Sequence, residues 1–332
     1  MLITFIILAV AIFLLTALIE YKLIPILKSY KVGQKILEIG PRWHKHKEGT
    51  PTMGGIGFIA ASLVALVGYF IYVACTENAA DYIPLALTVT FAVANGAIGF
   101  VDDYFKLIKK ENEGLTAKQK LFLQFVVAAA YVCVMAYTGN LDTAIALPFT
   151  DVTLELGWFW YPIAIVLLAG VVNGANLTDG VDGLASSVSL VIGIFYSALG
   201  FFILDEQISV VGAILIGAML GFLLFNFHPA KVFMGDTGSL FIGAMVIGGA
   251  FQIGEAAVGL IVSAAFIIEM LSSFLQTAVF KLTKRFTGEG KRLFKMAPLH
   301  HHFEKSGWNE YRIVAVFSAV ELLFCILAWI AI

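Results

Sequence analysis

The sequence predicts an all-α integral membrane protein with about ten transmembrane helices, both termini on the outer side and a short outer β-hairpin. Three observations carry that expectation. Of the 332 residues, 60% are hydrophobic and 13% charged, about half the charge of an ordinary soluble domain, and mean hydropathy is +0.92. The apolar residues gather into runs near the ~20 residues that a helix needs to cross ~30 Å of hydrocarbon. The basic residues, finally, are confined to alternate connections between those runs.

Taken in order, the runs fall at roughly 1–20, 54–75, 83–101, 121–138, 158–174, 184–204, 208–226, 237–253, 257–285 and 311–331. The first has no basic residue ahead of it and no small-residue cleavage site, so it is expected to stay as a span and not to act as a signal peptide. Between the fourth and fifth, ALPFTDVTLELGW (146–158) alternates apolar and polar residues about a polar centre, which predicts the hairpin. The ninth run is too long: about 29 residues make about 43 Å of helix, so it is expected to tilt strongly or to break, at Ser272 and Ser273. No internal repeat or low-complexity segment divides the chain, and residues 1–332 read as one polytopic domain.

Orientation follows from lysine and arginine, which cytoplasmic loops retain. Seven lie between Lys22 and Lys47, five between Lys106 and Lys120, one at Lys231 and eight between Lys281 and Arg312, which accounts for all 21. Loops near 21–53, 102–120, 175–183, 227–236 and 286–310 are therefore expected in the cytoplasm. Cys75, Cys133 and Cys325 lie in or at the ends of spans without metal or disulfide spacing and read as apolar packing residues.

The polar residues that remain crowd the same side, in HKHKEGTPTMGG (44–55), FVDDYFK (100–106), NGANLTDGVDGL (173–184), FNFHPAKVFMGDTGSL (225–240) and KMAPLHHHFEKSGWNE (295–310). Acids and lysines at helix ends are ordinary interfacial residues one at a time; five such loops converging on one face are not. Asp102 and Asp103 end the third span, where the helix dipole already carries negative charge, so a nearby cation would relieve them. Asp179 and Asp182 invite an EF-hand, but the twelfth position counted from Asp179 is Leu190 where that loop needs Glu. Carboxylates without cysteine favour a hard ion such as magnesium, which commonly bridges one or two acids to phosphate oxygens.

Consecutive His300, His301 and His302 point in different directions and suit pyrophosphate recognition or proton transfer better than zinc. GTPTMGG offers glycines and hydroxyls beside Lys47 but has neither P-loop nor Rossmann spacing. The Asn-Leu-Thr acceptor triplet at 176–178 is on the wrong side for glycosylation.

Together GTPTMGG, DDYFK, NLTDGVDGL, FNFHPAKVFMGDTGSL and APLHHHFEKSGW resemble, in order and across the whole chain, the signature loops of the polyprenyl-phosphate N-acetylhexosamine-1-phosphate transferases, and HHHFEKSGW resembles their muramoyl branch. Val181 stands where many relatives carry Leu, a conservative difference. The resemblance implies transfer of phospho-MurNAc-pentapeptide from UDP-MurNAc-pentapeptide to undecaprenyl phosphate, giving lipid I and UMP, with Mg2+ as cofactor. It also implies a bacterial cytoplasmic membrane, a homodimer and no nucleic-acid partner.

Residue by residue, Asp236 matches the family's magnesium ligand, and Asp102 and Asp103 its paired catalytic acids. Phe233 matches an aromatic that stacks on uracil; Lys47, Asn176, Asp179, Asp182 and Asn226 match positions lining the nucleotide pocket; His300 to His302 match the adjoining histidine loop, with His301 taken as catalytic. Thr52, Lys106 and Lys118 are expected to bind substrate. Direct attack by the lipid phosphate, with Asp102 as base, is favoured over a covalent intermediate. A break in the ninth span is expected to open an apolar groove leading the prenyl chain to Asp102.

Two rivals stay open at this point. A secondary transporter would suit intramembrane acids such as Glu269 and Glu321, although transporters place polar groups near the midplane. A sibling enzyme would use UDP-GlcNAc. Lys295, the three histidines, Lys305 and Trp308 on one rim favour a donor bearing a carboxylate-rich peptide arm.

Overall fold

The computed structural model describes residues 1–29, 47, 49–109, 114–150 and 152–332. Lys31, Lys35, Arg42, His44, Lys45, His46, Glu48 and Lys110, all read above as loop residues, lie outside the described residues.

Helix α1 (Leu2–Ser29) continues the first apolar run past its expected end, with Pro25 inside it. Helices α2 (Gly55–Thr76) and α3 (Ile83–Lys109) follow, then α4 (Ala117–Tyr137). The start of α4 is set by a capping box: Thr116 Oγ1 accepts the Gln119 N–H while Gln119 Oε1 accepts the Thr116 N–H. Strands β1 (Ala144–Ala146) and β2 (Thr153–Glu155) pair antiparallel with Ile145 opposite Leu154. This ribbon is shorter than the alternating stretch that predicted it and begins two residues earlier.

Helices α5 (Trp160–Thr178), α6 (Leu184–Ile203) and α7 (Glu206–Asn226) come next, the last capped by Asp205 accepting the Ile208 N–H at 3.0 Å. Then follow α8 (Gly235–Gln252), α9 (Ala256–Ile261), α10 (Ala264–Thr287), the short α11 (Leu299–Glu304) and α12 (Glu310–Ala331). Among the described residues nine helices are long and apolar enough to cross a membrane, which makes this a multi-pass membrane protein.

The remaining expected run, 237–253, is α8. It forms as a helix of 18 residues, but Asp236, Thr237, Ser239 and Gln252 dilute its apolar character, and every residue from Thr237 to Gln252 is buried. A helix surrounded by α3, α5, α2, α7 and α6 faces protein on all sides and is not selected for contact with lipid. Small residues let its neighbours close on it. Gly99 of α3 lies against the Asp236 carbonyl and Gly55 of α2 against Gly238, and a Cβ at either would collide with backbone.

The ninth run does break, but not where expected. Ser272 and Ser273 lie inside the continuous α10, and the interruption falls at Val262 and Ser263 between α9 and α10. The cause is supplied from elsewhere in the fold: Glu321 of α12 accepts the Ala265 N–H at 3.1 Å, satisfying a free donor at the start of α10. Ser272 instead returns its hydroxyl within the helix, to the Glu269 carbonyl.

Candidate active site

The C-terminal end of α3 and the N-terminal end of α8 meet, and their acids meet with them. Carboxylate oxygens of Asp102, Asp103 and Asp236 lie within 4.8 Å of one another. The close passage of Gly99 beneath the first turn of α8 makes this approach possible. Lys106, one turn beyond Asp102, places its Nζ 2.6 Å from Asp102 Oδ2, 3.2 Å from Asp236 Oδ2 and 3.7 Å from Asp103 Oδ1. From α4, Lys120 Nζ reaches Asp236 Oδ2 at 2.8 Å. Asn176, at the end of α5, donates to Asp236 Oδ1 at 2.8 Å and to Ser239 Oγ at 2.9 Å. Three acids thus face two lysines, and one negative charge is left over.

The two adjacent aspartates have different surroundings. Asp103 accepts the Thr237 N–H and hydroxyl at Oδ2, at 3.0 and 2.7 Å, and the Asp236 N–H at Oδ1. Its carboxylate, expected to be catalytic, is occupied in capping α8. Asp102 accepts the Leu115 N–H at Oδ1 and turns Oδ2 to Lys106.

A second ionic cluster stands beside the first. Lys47 Nζ lies 2.6 Å from both Asp182 Oδ1 and Glu310 Oε2, and His228 Nδ1 lies 2.9 Å from Asp182 Oδ2. Glu310 Oε2 also accepts the Asp182 N–H, and Asp182 Oδ2 accepts the Ala230 N–H. Burial pushes the Asp182 carboxyl up, but Lys47, the Ala230 N–H and His228 outweigh it and hold Asp182 below the usual carboxylate range. Asp179 feels both clusters: burial, then the charges of Asp236, Asp103 and Asp182, push it well above that range, with Lys47 acting in the opposite sense. The 176–182 segment is the bridge between the clusters.

Several expected roles change in this setting. Lys47, matched to a position lining the nucleotide pocket, is 9% exposed and tied to two carboxylates, so its charge neutralises those acids. Asn226 donates to the Val232 carbonyl at 2.9 Å and accepts from Ser186 at 3.0 Å, both groups spent on holding the 227–236 loop to α6. Gly54 and Gly55 give their N–H groups to the carbonyls of Phe233 and Met234, while the Phe233 N–H goes to Pro51. GTPTMGG is thus a backbone dock for the FMGD loop and not a phosphate cradle, while Thr52 Oγ1 borders Gly235 and the Phe233 ring stays half-buried. Lys118 is exposed, and Lys120 is the α4 lysine that reaches the acids.

The histidines divide the same way. His300 is buried against Glu269, His301 Nδ1 faces Glu304 Oε2 at 2.6 Å, and His302 Nδ1 accepts the Lys295 N–H at 3.1 Å. Sequence reasoning missed Lys120, His228 and Glu310. For Lys120 a signal existed: it continues the buried stripe Gln124, Ala128, Tyr131, Met135 of α4 at helical spacing. Glu269 and Glu321, which taken alone suited ion coupling, are both engaged by donors within the fold.

A polytopic helical membrane protein with a lysine-paired aspartate triad where two helix ends meet is suited to acting on phosphates at a bilayer surface. The sequence profile of glycosyl transferase family 4 matches residues 84–254, a stretch that contains all three acids. The chain is 41% identical to the phospho-N-acetylmuramoyl-pentapeptide-transferase of Staphylococcus carnosus, over 96% of each chain. It is 40% identical to those of Bacillus subtilis and Halalkalibacterium halodurans, over 95% of this chain and 94% of theirs. The chain belongs to glycosyl transferase family 4 and, within it, to the phospho-N-acetylmuramoyl-pentapeptide-transferases.

Proposed function

We propose that this chain transfers phospho-MurNAc-pentapeptide from UDP-MurNAc-pentapeptide to undecaprenyl phosphate, yielding lipid I and UMP. The observation that carries the proposal is the Asp102–Asp103–Asp236 cluster with Lys106 and Lys120 directed into it, in a chain of this family. The site is read as facing the cytoplasm of a bacterial cell, with both termini and the β1–β2 ribbon outside, because lysine and arginine fall only in the loops and adjoining helix ends on the site's side. A lipid phosphate at the membrane face and a nucleotide from the cytosol would meet there. A homodimer is part of the same reading.

The donor set fits magnesium: three carboxylates, no thiolate, and one uncompensated negative charge. Asp236 would hold the ion, with Asp102 beside it, and a bound Mg2+ would supply positive charge to the phosphate oxygens. The lysines now on Asp236 have long stems and would then turn to those oxygens. Asn176 keeps Asp236 oriented, and Asp103 holds the first turn of α8 in place beneath it.

Asp236 is gripped by Asn176, Lys106 and Lys120, which makes it a poor nucleophile. The step proposed is direct attack by the lipid phosphate on the donor's β-phosphate, with Asp102 accepting any proton the acceptor carries and UMP leaving. The test is an assay of the purified protein with undecaprenyl phosphate and either UDP-MurNAc-pentapeptide or UDP-GlcNAc, with and without magnesium. Magnesium-dependent UMP release and lipid I from the muramoyl donor are expected; equal rates with UDP-GlcNAc would overturn the donor assignment.

A further inference from the structure

Glu269 stands in the second turn of α10 with no exposure to solvent, where an unpaired carboxylate would be strongly unfavourable. Both of its oxygens are directed at a single residue. Oε1 accepts the backbone N–H of His300 at 3.1 Å, and Oε2 faces His300 Nδ1 at 3.1 Å. An ionised carboxylate can only accept, so Nδ1 carries a proton, and in the neutral ring Nε2 is then bare. That Nε2 is buried and has no hydrogen-bond partner among the described residues. It fills the space a side chain on residue 180 would need, since a Cβ on Gly180 would fall onto it. The ring is completed as a wedge by His301, whose centroid lies 4.1 Å away.

We propose that Glu269 is a positioning residue: it fixes the tautomer and seat of His300, whose imidazole in turn holds the Asp179–Gly180 turn in the form that receives the donor nucleotide. This rests on the reading of the 176–182 segment as part of the nucleotide site. The geometry gives the glycine its reason, because residue 180 has ordinary backbone angles and needs no Cβ only because the imidazole is there. It also gives the acid a task unrelated to ion transport. A brace between α10 and α11 alone would need the contact to the His300 N–H and would be indifferent to the ring's tautomer.

The experiment uses the full chain in lipid nanodiscs with 15N-labelled histidine, the His300 signals being assigned by their loss in His300→Asn. The wild type is expected to show a protonated Nδ1 and a bare Nε2. In Glu269→Gln the amide oxygen retains the backbone N–H while its NH2 faces the ring, so the proton is expected to move to Nε2. The KM for UDP-MurNAc-pentapeptide should rise about tenfold, the size of one net hydrogen bond. The kcat and the KM for undecaprenyl phosphate should stay within about twofold.

Adding Glu269→Gln to His300→Ala should change nothing further, and Gly180→Ala, which displaces the ring from the other side, should give the same donor-KM phenotype. A wild-type ring protonated at Nε2, or additive effects in the double variant, overturns the proposal; if Glu269→Gln does not fold, an unchanged donor KM in Gly180→Ala overturns it. Failure of the wild type to consume UDP-MurNAc-pentapeptide would count against the activity, while the tautomer measurement would still decide this inference.

Discussion

Lys120 Nζ lies 2.8 Å from Asp236 Oδ2, although 116 residues separate the two in sequence. The contact ties the first turn of α4 to the first turn of α8 and makes Lys120, with Lys106, a cation of the acidic site. Replacing Lys120 with Ala is expected to lower kcat about 10²-fold, as does loss of one donor to a developing anion. Lys118→Ala, at an exposed position, should change it less than about twofold. Steady-state UMP release with both variants checks this, and equal losses would undo the distinction.

Asp236 and Asp103 touch the same helix turn but should fail differently. Asp236→Asn is expected to abolish turnover and magnesium binding together in a folded protein, because charge on the phosphates would go unrelieved. Asp103→Ala removes the acceptor for three donors of α8 and should reduce stability by about 1–2 kcal/mol. Thermal shift with and without magnesium separates them: the metal-dependent increment should vanish in the first and survive, from a lower baseline, in the second.

The Lys47–Asp182–Glu310 cluster is expected to show in stability against pH. Asp182 is held below its ordinary value, so its stabilisation is complete above the usual carboxylate range and fades as pH falls through the folded value. Wild-type Tm should therefore be flat between neutrality and mild acid as far as this group is concerned. Lys47→Met removes the lysine shared by two buried carboxylates, a loss of about 3–5 kcal/mol. That variant should regain stability on mild acidification, when the acids can protonate. A variant Tm that does not rise on mild acidification would contradict the account.

Donor choice should depend on the 295–310 loop. Lys305 is exposed and, among the described residues, its Nζ meets only the Lys295 carbonyl at 3.5 Å, leaving its charge available to a carboxylate on a peptide arm. The wild type is expected to prefer UDP-MurNAc-pentapeptide over UDP-GlcNAc. His301→Ala and Lys305→Ala should each reduce that preference about tenfold or more, the size of a charge-assisted hydrogen bond. An unchanged ratio in both variants would move recognition of the arm elsewhere.

The helical membrane class, the order of the helices and the grouping of acids on one side were all legible from the chain. Apolar length and the placement of basic residues are local properties, and a bilayer reads them locally. Likewise FMGD and FVDDYFK announced themselves, because acids amid an apolar sequence need a reason. The break before α10 was legible as an excess of length, but its position was not: Glu321, 56 residues on, satisfies Ala265, and no local feature of the ninth run could disclose that.

What the sequence by itself determined is therefore the inventory: which residues are polar, on which helix ends they stand, and that they share a face. The tertiary structure alone decided their partners. Asp103 caps α8 while the adjacent Asp102 faces Lys106; Lys120 and not Lys118 turns inward; Lys47 spends its charge on Asp182 and Glu310; and Asn226 braces a loop. Neighbouring positions on a helix point about 100° apart, so a charged group's partner is fixed by helix rotation and by packing across α8. Those are relations between segments distant in sequence, and no single segment contains them.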